Sequence, residues 1–238
     1  MKTLVVMPTY NEALNLEKTI AGVLEANPQV DILVVDDGSP DDTGAIADRI
    51  ASANSRVTVL HRAQKSGLGG AYLAGFAAGF ERGYEYIVEM DADGSHRAED
   101  LPALLAQAPK HDLVIGSRWV RGGKVVNWPL GRQLLSRGGN LYSRLALGTS
   151  VRDLTAGFRC FDAKFLQSLD LGTVSSSGYS FQVELALRVI RAGGRVVEVP
   201  ITFVERELGE SKMSGAIVNE AMKFVTKQGI NRILGRNR

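Results

Sequence analysis

The sequence predicts an α/β fold: a mostly parallel central sheet with helices on both faces. Three observations lead there. Short, wholly apolar runs alternate with longer stretches of helical periodicity through the first half of the chain, as β-α-β units require. The runs lack the in–out alternation of a half-exposed sheet, so both faces must be covered. Polar residues gather just after the runs, at the carboxyl ends of the strands, where such sheets bind ligands.

Thr3-Leu4-Val5-Val6-Met7 reads as the first strand. Pro8-Thr9-Tyr10-Asn11-Glu12 then turns into a helix whose Leu16, Ile20, Val23 and Leu24 keep helical spacing. Ile32 to Val35 is the second strand, closing on Asp36-Asp37-Gly38-Ser39-Pro40-Asp41-Asp42-Thr43. These carboxylates sit at a helix entrance, where free N–H groups and the helix dipole stabilise negative charge. Val57 to His61 is the third strand, and Ser66-Gly67-Leu68-Gly69-Gly70-Ala71 opens an Ala/Gly-rich helix reaching Gly83. That loop begins like a dinucleotide fingerprint, but Tyr72 stands where the third glycine belongs, and the loop follows the third strand rather than the first. A close helix-to-sheet contact accounts for its glycines, and a dehydrogenase is rejected.

Tyr86 to Met90 is the fourth strand, ending in Asp91-Ala92-Asp93-Gly94-Ser95-His96. Strand side chains repeat every two residues, so Asp91 and Asp93 leave on one side. Two hard anionic oxygens aimed together suit Mg²⁺ or Mn²⁺, ions usually completed by substrate phosphates rather than by an all-protein cage. The triplet alone is weak and reads equally as two solvated loop acids; its place between a buried strand and a glycine favours the metal. His96 fits either a support for that motif or a hydrogen-bonded turn residue, while His61 and His111 read as structural. Asp112 to Gly116 is the fifth strand.

Beyond Trp119 the pattern changes. Arg132 to Leu147 is helix-like and mixes Leu134, Leu135, Leu141, Tyr142, Leu145 and Leu147 with Arg132, Arg137 and Arg144. A helix from Ser180 to Ala192 and a strand from Arg195 to Val199, stopped by Pro200, follow. Phe203 to Lys212 reads as a charged loop. The tail from Ser214 places Ile217, Ala221, Phe224, Val225, Ile230, Ile233 and Leu234 at roughly helical spacing, and after Glu220 its charges are Lys223, Lys227, Arg232, Arg236 and Arg238. This amphipathic basic tail suits an anionic bilayer face or a membrane partner, or a surface helix packed on its own domain.

A chain of 238 residues, 45% of them hydrophobic, can bury one α/β core, and with no repeat, low-complexity segment or linker it reads as one domain, 1–238. A net charge of +2 argues against nucleic-acid coating. Charge is local instead: Arg118, Arg121, Lys124, Arg132, Arg137, Arg144, Arg152 and Arg159 face Asp153 alone, which marks an anionic partner. Cys160, the lone cysteine, permits no internal disulfide and points to a reducing cytoplasm. Met-Lys-Thr-Leu-Val-Val runs straight into a strand, unlike a signal peptide, and no run approaches the roughly eighteen apolar residues of a membrane span. A protein peripheral on a membrane face is the expectation.

Together these stretches resemble the polyprenyl-phosphate (dolichyl-phosphate) mannose synthases of glycosyltransferase family 2, which have the Rossmann-like GT-A fold. The resemblance adds Gly116-Ser117-Arg118, Thr155-Ala156-Gly157-Phe158-Arg159, Gly178-Tyr179-Ser180-Phe181-Gln182-Val183-Glu184, and Arg206 followed by Gly209-Glu210-Ser211-Lys212. The early motifs and the D-x-D are widespread in family 2; the late ones narrow it to lipid-phosphate acceptors. It implies inverting, metal-dependent transfer of mannose from GDP-mannose to a polyprenyl phosphate by an enzyme on the cytoplasmic membrane face, in the branch that relies on a small membrane-protein partner or a fused membrane domain.

Residue by residue, the resemblance implies that Pro8, Tyr10 and Val35 shape the base and ribose pocket, and that Glu12 and Asp37 accept hydrogen bonds from the nucleoside. Asp91 and Asp93 hold Mg²⁺ or Mn²⁺, Ala92 touches the nucleotide through its backbone, and Arg206 and Lys212 close over the diphosphate. Ser95, where relatives often carry Gln or Met, is a weaker third metal ligand. Arg118, Arg132 and Ser136 grip the lipid phosphate. Residues 1–117 then form a nucleotide-sugar half, 118–212 an acceptor half and 213–238 the basic tail. Asp153, Gln182 and Glu184 either orient the sugar or pair with arginines such as Arg159. Two rivals stand: a UDP-sugar-dependent polyprenyl-phosphate hexosyltransferase, and a non-catalytic nucleotide-binding subunit. A polysaccharide polymerase is disfavoured because membrane helices and a Gln-x-x-Arg-Trp sequence are missing.

Overall fold

The apolar runs become strands that are buried on both faces. The computed structural model describes residues 1–63, 67–174, 176, 178–206 and 215–236. Its elements run β1 (Thr3–Thr9), α1 (Leu16–Ala26), β2 (Val30–Asp36), α2 (Thr43–Ala53), β3 (Val57–His61), α3 (Gly67–Glu81), β4 (Tyr86–Glu89), α4 (Leu101–Gln107) and β5 (Leu113–Ser117). Then come β6 (Lys124–Val126), α5 (Leu130–Leu147), β7 (Arg159–Asp162), α6 (Ala163–Ser168), α7 (Gly178–Arg191), β8 (Val196–Pro200), β9 (Thr202–Val204) and α8 (Gly215–Ile233).

Seven strands form one sheet in the order β3-β2-β1-β4-β7-β5-β8. Neighbours run parallel except β7, which is antiparallel to both β4 and β5. The period-two rule sorts β1 between two cores: Leu4 and Val6 pack with α3 and α7, Val5 and Met7 with α1 and α4. Each buried aliphatic side chain contributes roughly 1.5–3 kcal/mol against exposure. Because β1, β2 and β4 are parallel, their carboxyl ends share one edge, which brings Tyr10, Asp37 and Asp91 together.

Three readings need correction. The sheet holds an antiparallel insertion, β7, that the sequence hid because Arg-Cys-Phe-Asp is no apolar run. Arg159 is nonetheless fully buried, its guanidinium donating to the carbonyls of Leu154 (2.7 Å), Ala156 (2.8 Å) and Gln182 (2.6 Å), which supplies the hydrogen bonds burial demands. Thr202–Val204 is a strand pairing in parallel with β6, so Phe203 does not open a loop. Finally, Gly69 faces α7 rather than the sheet: a Cβ there would meet the Phe181 ring at 2.7 Å. The helix-to-sheet approach belongs to Gly75, where a Cβ would meet Val6 Cγ1.

Candidate functional site

The acid cluster is built on the turn after β4. The Asp91 N–H donates to His96 Nδ1 (3.1 Å), and the His96 ring lies parallel to Phe158 (5.0 Å between centroids) and edge-on to Phe203 (5.5 Å). Burial pushes the His96 pKa down to about 4, so the imidazole is neutral and can accept. His96 therefore fixes the turn. Asp91 Oδ1 accepts from the Tyr72 hydroxyl (3.3 Å), and Asp93 Oδ1 from the Ser95 N–H (2.9 Å). Arg206 Nη2 stands 2.6 Å from Asp93 Oδ2, with Nη1 3.8 Å from Glu12 Oε1.

Burial, then the neighbouring Asp93 charge, raises the Asp91 pKa. Burial works against Asp93 too, but Arg206 and Ser95 outweigh it and hold that carboxyl below its ordinary value. Buried acids of one sign need a cation. Among the described residues no group of three His, Cys, Asp or Glu side chains forms a ready cage. Two carboxylates that leave the other positions to substrate oxygens fit Mg²⁺ or Mn²⁺ chemistry. Ser95 Oγ is buried and has no hydrogen-bond partner among the described residues.

On the neighbouring strands Pro8 and Val35 are register partners. Pro8 and Tyr10 are half-buried at the edge, whereas Val35 has no exposure and packs in the core. Asp37 pairs with Arg62 (2.7 Å), the Glu12 N–H donates to Thr43 Oγ1 (2.9 Å), and the Ala92 carbonyl accepts from Thr19 Oγ1 (3.0 Å). Lys212, with Gly209, Glu210 and Ser211, lies outside the described residues.

Arg118, just past β5, is buried and bound twice to Asp153 (Nε–Oδ2 2.8 Å, Nη2–Oδ1 2.6 Å), with Thr155 Oγ1 at 2.9 Å from Nη2. Its guanidinium carbon is 5.5 Å from the ring centroids of both Trp128 and Phe203. Arg132 pairs with Glu205 and covers Trp128 at 4.0 Å. Arg118, Arg132 and Ser136 all line a cavity of about 490 Å³ between α5 and α8, whose walls include Leu134, Leu135, Tyr142, Ala221, Met222 and Val225. One aromatic layer, His96–Phe203–Arg118, links this cavity to the acid cluster.

The ambiguous residues separate. Asp153 holds Arg118, not Arg159; Glu184 pairs with Arg188 one turn along α7; Gln182 is buried. His61 pairs with Asp48 (2.9 Å), and His111 Nδ1 lies 3.0 Å from the Gln107 carbonyl. Arg62, Tyr72, Trp128, Phe203 and Glu205 escaped sequence reading, since each takes meaning only from a partner distant in the chain.

The description of Glycosyl transferase family 2 matches residues 4–170. The chain is 55% identical over 230 residues to an undecaprenyl-phosphate mannosyltransferase of Micrococcus luteus, covering 97% of this chain and 95% of that one. It is 55% identical over 239 residues to a polyprenol monophosphomannose synthase of Mycolicibacterium smegmatis, covering 100% and 90%. In fold it is similar to Mycobacterium tuberculosis glucosyl-3-phosphoglycerate synthase solved with Mn²⁺, UDP and glucosyl-3-phosphoglycerate (TM-score 0.72, 22% identity, 95% of this chain and 79% of that one). A mannosyltransferase from Pyrobaculum calidifontis solved with GDP-Man and Mn²⁺ is also similar (TM-score 0.58, 15% identity, 98% and 74%). With its GT-A fold, strand-end acids and near full-length matches, the chain belongs to glycosyltransferase family 2, among the polyprenyl-phosphate mannose synthases.

Proposed function

We propose that this enzyme transfers mannose from GDP-mannose to a polyprenyl phosphate, inverting the sugar centre. The observation carrying this reading is the adjacency of two unlike sites across one aromatic layer. An acid cluster at strand ends suits a metal-bound diphosphate; arginines on an apolar cavity suit a phosphate with a prenyl tail. The relatives' names, both lipid-phosphate mannosyl transfer, support it, as do structural neighbours holding Mn²⁺ with UDP or GDP-Man.

Pro8 and Tyr10 shape the nucleoside pocket over Val35, and Glu12 and Asp37 accept from its hydroxyls. Asp91 and Asp93 hold Mg²⁺ or Mn²⁺, which when bound offsets the charge growing on the GDP leaving group. Arg206, which neutralises Asp93 and Glu12 beforehand, moves with Lys212 onto the diphosphate as a lid. The acceptor phosphate, with a second pKa near 6, is largely a dianion at neutral pH and needs no general base. It needs relief from repulsion by the donor, which Arg118 and Arg132 provide. Asp153 keeps Arg118 flat, and Ser136 adds a hydroxyl. Attack on C1 from the face opposite GDP gives a β-linked lipid phosphate. Residues 1–117 thus serve the nucleotide sugar, 118–212 the acceptor and 213–238 the membrane, on the cytoplasmic face.

The test is a donor screen with Mg²⁺ or Mn²⁺, a polyprenyl phosphate and each radiolabelled nucleotide sugar. Transfer from GDP-mannose alone is expected. Transfer only from a UDP-sugar, or none at all, refutes the reading.

A further inference from the structure

On the other flank of α5 lies a second cavity, about 340 Å³, lined by Arg137, Arg144 and Arg152 with Trp119. Arg118 and Asn140 border both cavities, so the two adjoin along α5. Arg137 lies over the Trp119 ring at 4.7 Å, and the Trp119 indole N–H is buried with no acceptor among the described residues. Among those residues none of the three guanidinium groups is ion-paired with a carboxylate, and the cavity lining holds no acid. Glu198, beside Arg152, is engaged by the backbone N–H groups of Arg152 (2.8 Å) and Asp153 (2.9 Å). Like charges gathered around a concavity repel, so the arrangement calls for an anion from outside.

The neighbouring surface says what carries that anion. Leu134, Leu141 and Leu145 stand 62%, 51% and 66% exposed along the outer ridge of α5. A leucine ridge beside guanidinium groups matches the boundary of an anionic bilayer, with apolar groups entering the acyl region while cations stay at the phosphates. Guanidinium also fits phosphate oxygens in pairs.

We infer that the Arg137–Arg144–Arg152 cavity binds the phosphate headgroup of an anionic bilayer phospholipid, seating the enzyme with its acceptor cavity at the membrane. The inference rests on the reading above only in that the acceptor is lipid-borne; the headgroup takes no part in transfer.

Flotation with phosphatidylglycerol/phosphatidylcholine vesicles free of polyprenyl phosphate tests it on the full chain. R137Q/R144Q/R152Q is compared with R49Q/R56Q/R82Q, which removes the same charge around β3. Each arginine near an anionic surface is worth about fivefold in binding, so the cavity variant is expected to bind on the order of a hundredfold more weakly, and the control within about twofold of the parent. Both variants should transfer sugar to a short-chain polyprenyl phosphate in detergent as the parent does. The inference is overturned if the cavity variant floats like the parent, or if the control weakens equally, which would mean bulk charge. It is also overturned if the cavity variant loses transfer in detergent, which would give the cavity to the acceptor. Failure of the donor screen leaves the flotation result unaffected, so the two readings fall separately.

Discussion

Asp93 seats Arg206 at 2.6 Å, and in the function proposed above it has a second duty as a metal ligand. Asp93→Asn keeps the shape and a hydrogen-bond acceptor but removes the charge that both cations answer. Transfer is expected to fall about a thousandfold, equivalent to about 4 kcal/mol of transition-state stabilisation, in initial rates at saturating Mn²⁺. Undiminished turnover would put the metal elsewhere. At this scale the sequence showed residues whose meaning lies in a local pattern. Asp91 and Asp93 were legible because two carboxylates two apart at a strand end differ from two on a helix. Tyr72 and Arg62 were not, since an aromatic inside an Ala/Gly-rich helix reads as core until its hydroxyl meets Asp91 19 residues away. Val35 illustrates a different limit: a place near a strand end in sequence says nothing about which face the side chain occupies, and that of Val35 is fully buried in the core.

Elements follow the same logic with longer reach. The helix α3 lies so close to β1 that a methyl at Gly75 would overlap Val6. Gly75→Ala raises helix propensity by about 1 kcal/mol, yet overpacking of this kind costs roughly 1–3 kcal/mol, so a lower denaturant midpoint is expected. A midpoint equal to or above the parent's would mean the helix can move off the sheet. Across the sheet, Asp112 before β5 receives the Arg195 backbone N–H (2.7 Å) and its guanidinium (3.0 and 3.1 Å), which hold the Asp112 carboxyl below its ordinary value. Its contribution is present above the ordinary aspartate range and lost as pH falls through the depressed folded value. Asp112→Asn should therefore melt below the parent at pH 7, the curves converging as pH falls below the ordinary aspartate range. A constant gap would assign the loss to packing. The strands β1 to β5 were readable from apolar runs, while β6, β7 and β9 were not, because three or four residues that include Lys124, Arg159, Asp162 or Thr202 form no apolar run.

At the scale of the molecule, the parallel sheet gathers the acid cluster on one edge, and the helices after β5 add the walls of an apolar cavity that the proposal gives to the lipid acceptor. Among the described residues no helix is long and apolar enough to cross a membrane. α5 has no acidic residue in its eighteen, and exposes Leu130 (70%) and Leu145 (66%). α8 packs beside it, with the Tyr142 and Thr226 hydroxyls 2.8 Å apart, and contributes Ala221, Met222 and Val225 to the α5–α8 cavity proposed to take the acceptor. The proposed division of labour between sheet edge and helix pair predicts a dissection. A chain ending at residue 214 keeps the acid cluster but loses one wall of the cavity. It should bind GDP with Mn²⁺ within about threefold of the parent by calorimetry, while transfer to polyprenyl phosphate falls at least about a hundredfold, the weight of roughly 3 kcal/mol of lost apolar burial. Since removing α8 also uncovers Val225's neighbours in the core, Met222→Glu provides the same test with the helix in place, because a charge in that wall repels both prenyl chain and phosphate. Retained lipid transfer in Met222→Glu, with normal GDP binding, would move the acceptor out of the α5–α8 cavity and leave the arginines there without the phosphate assigned to them.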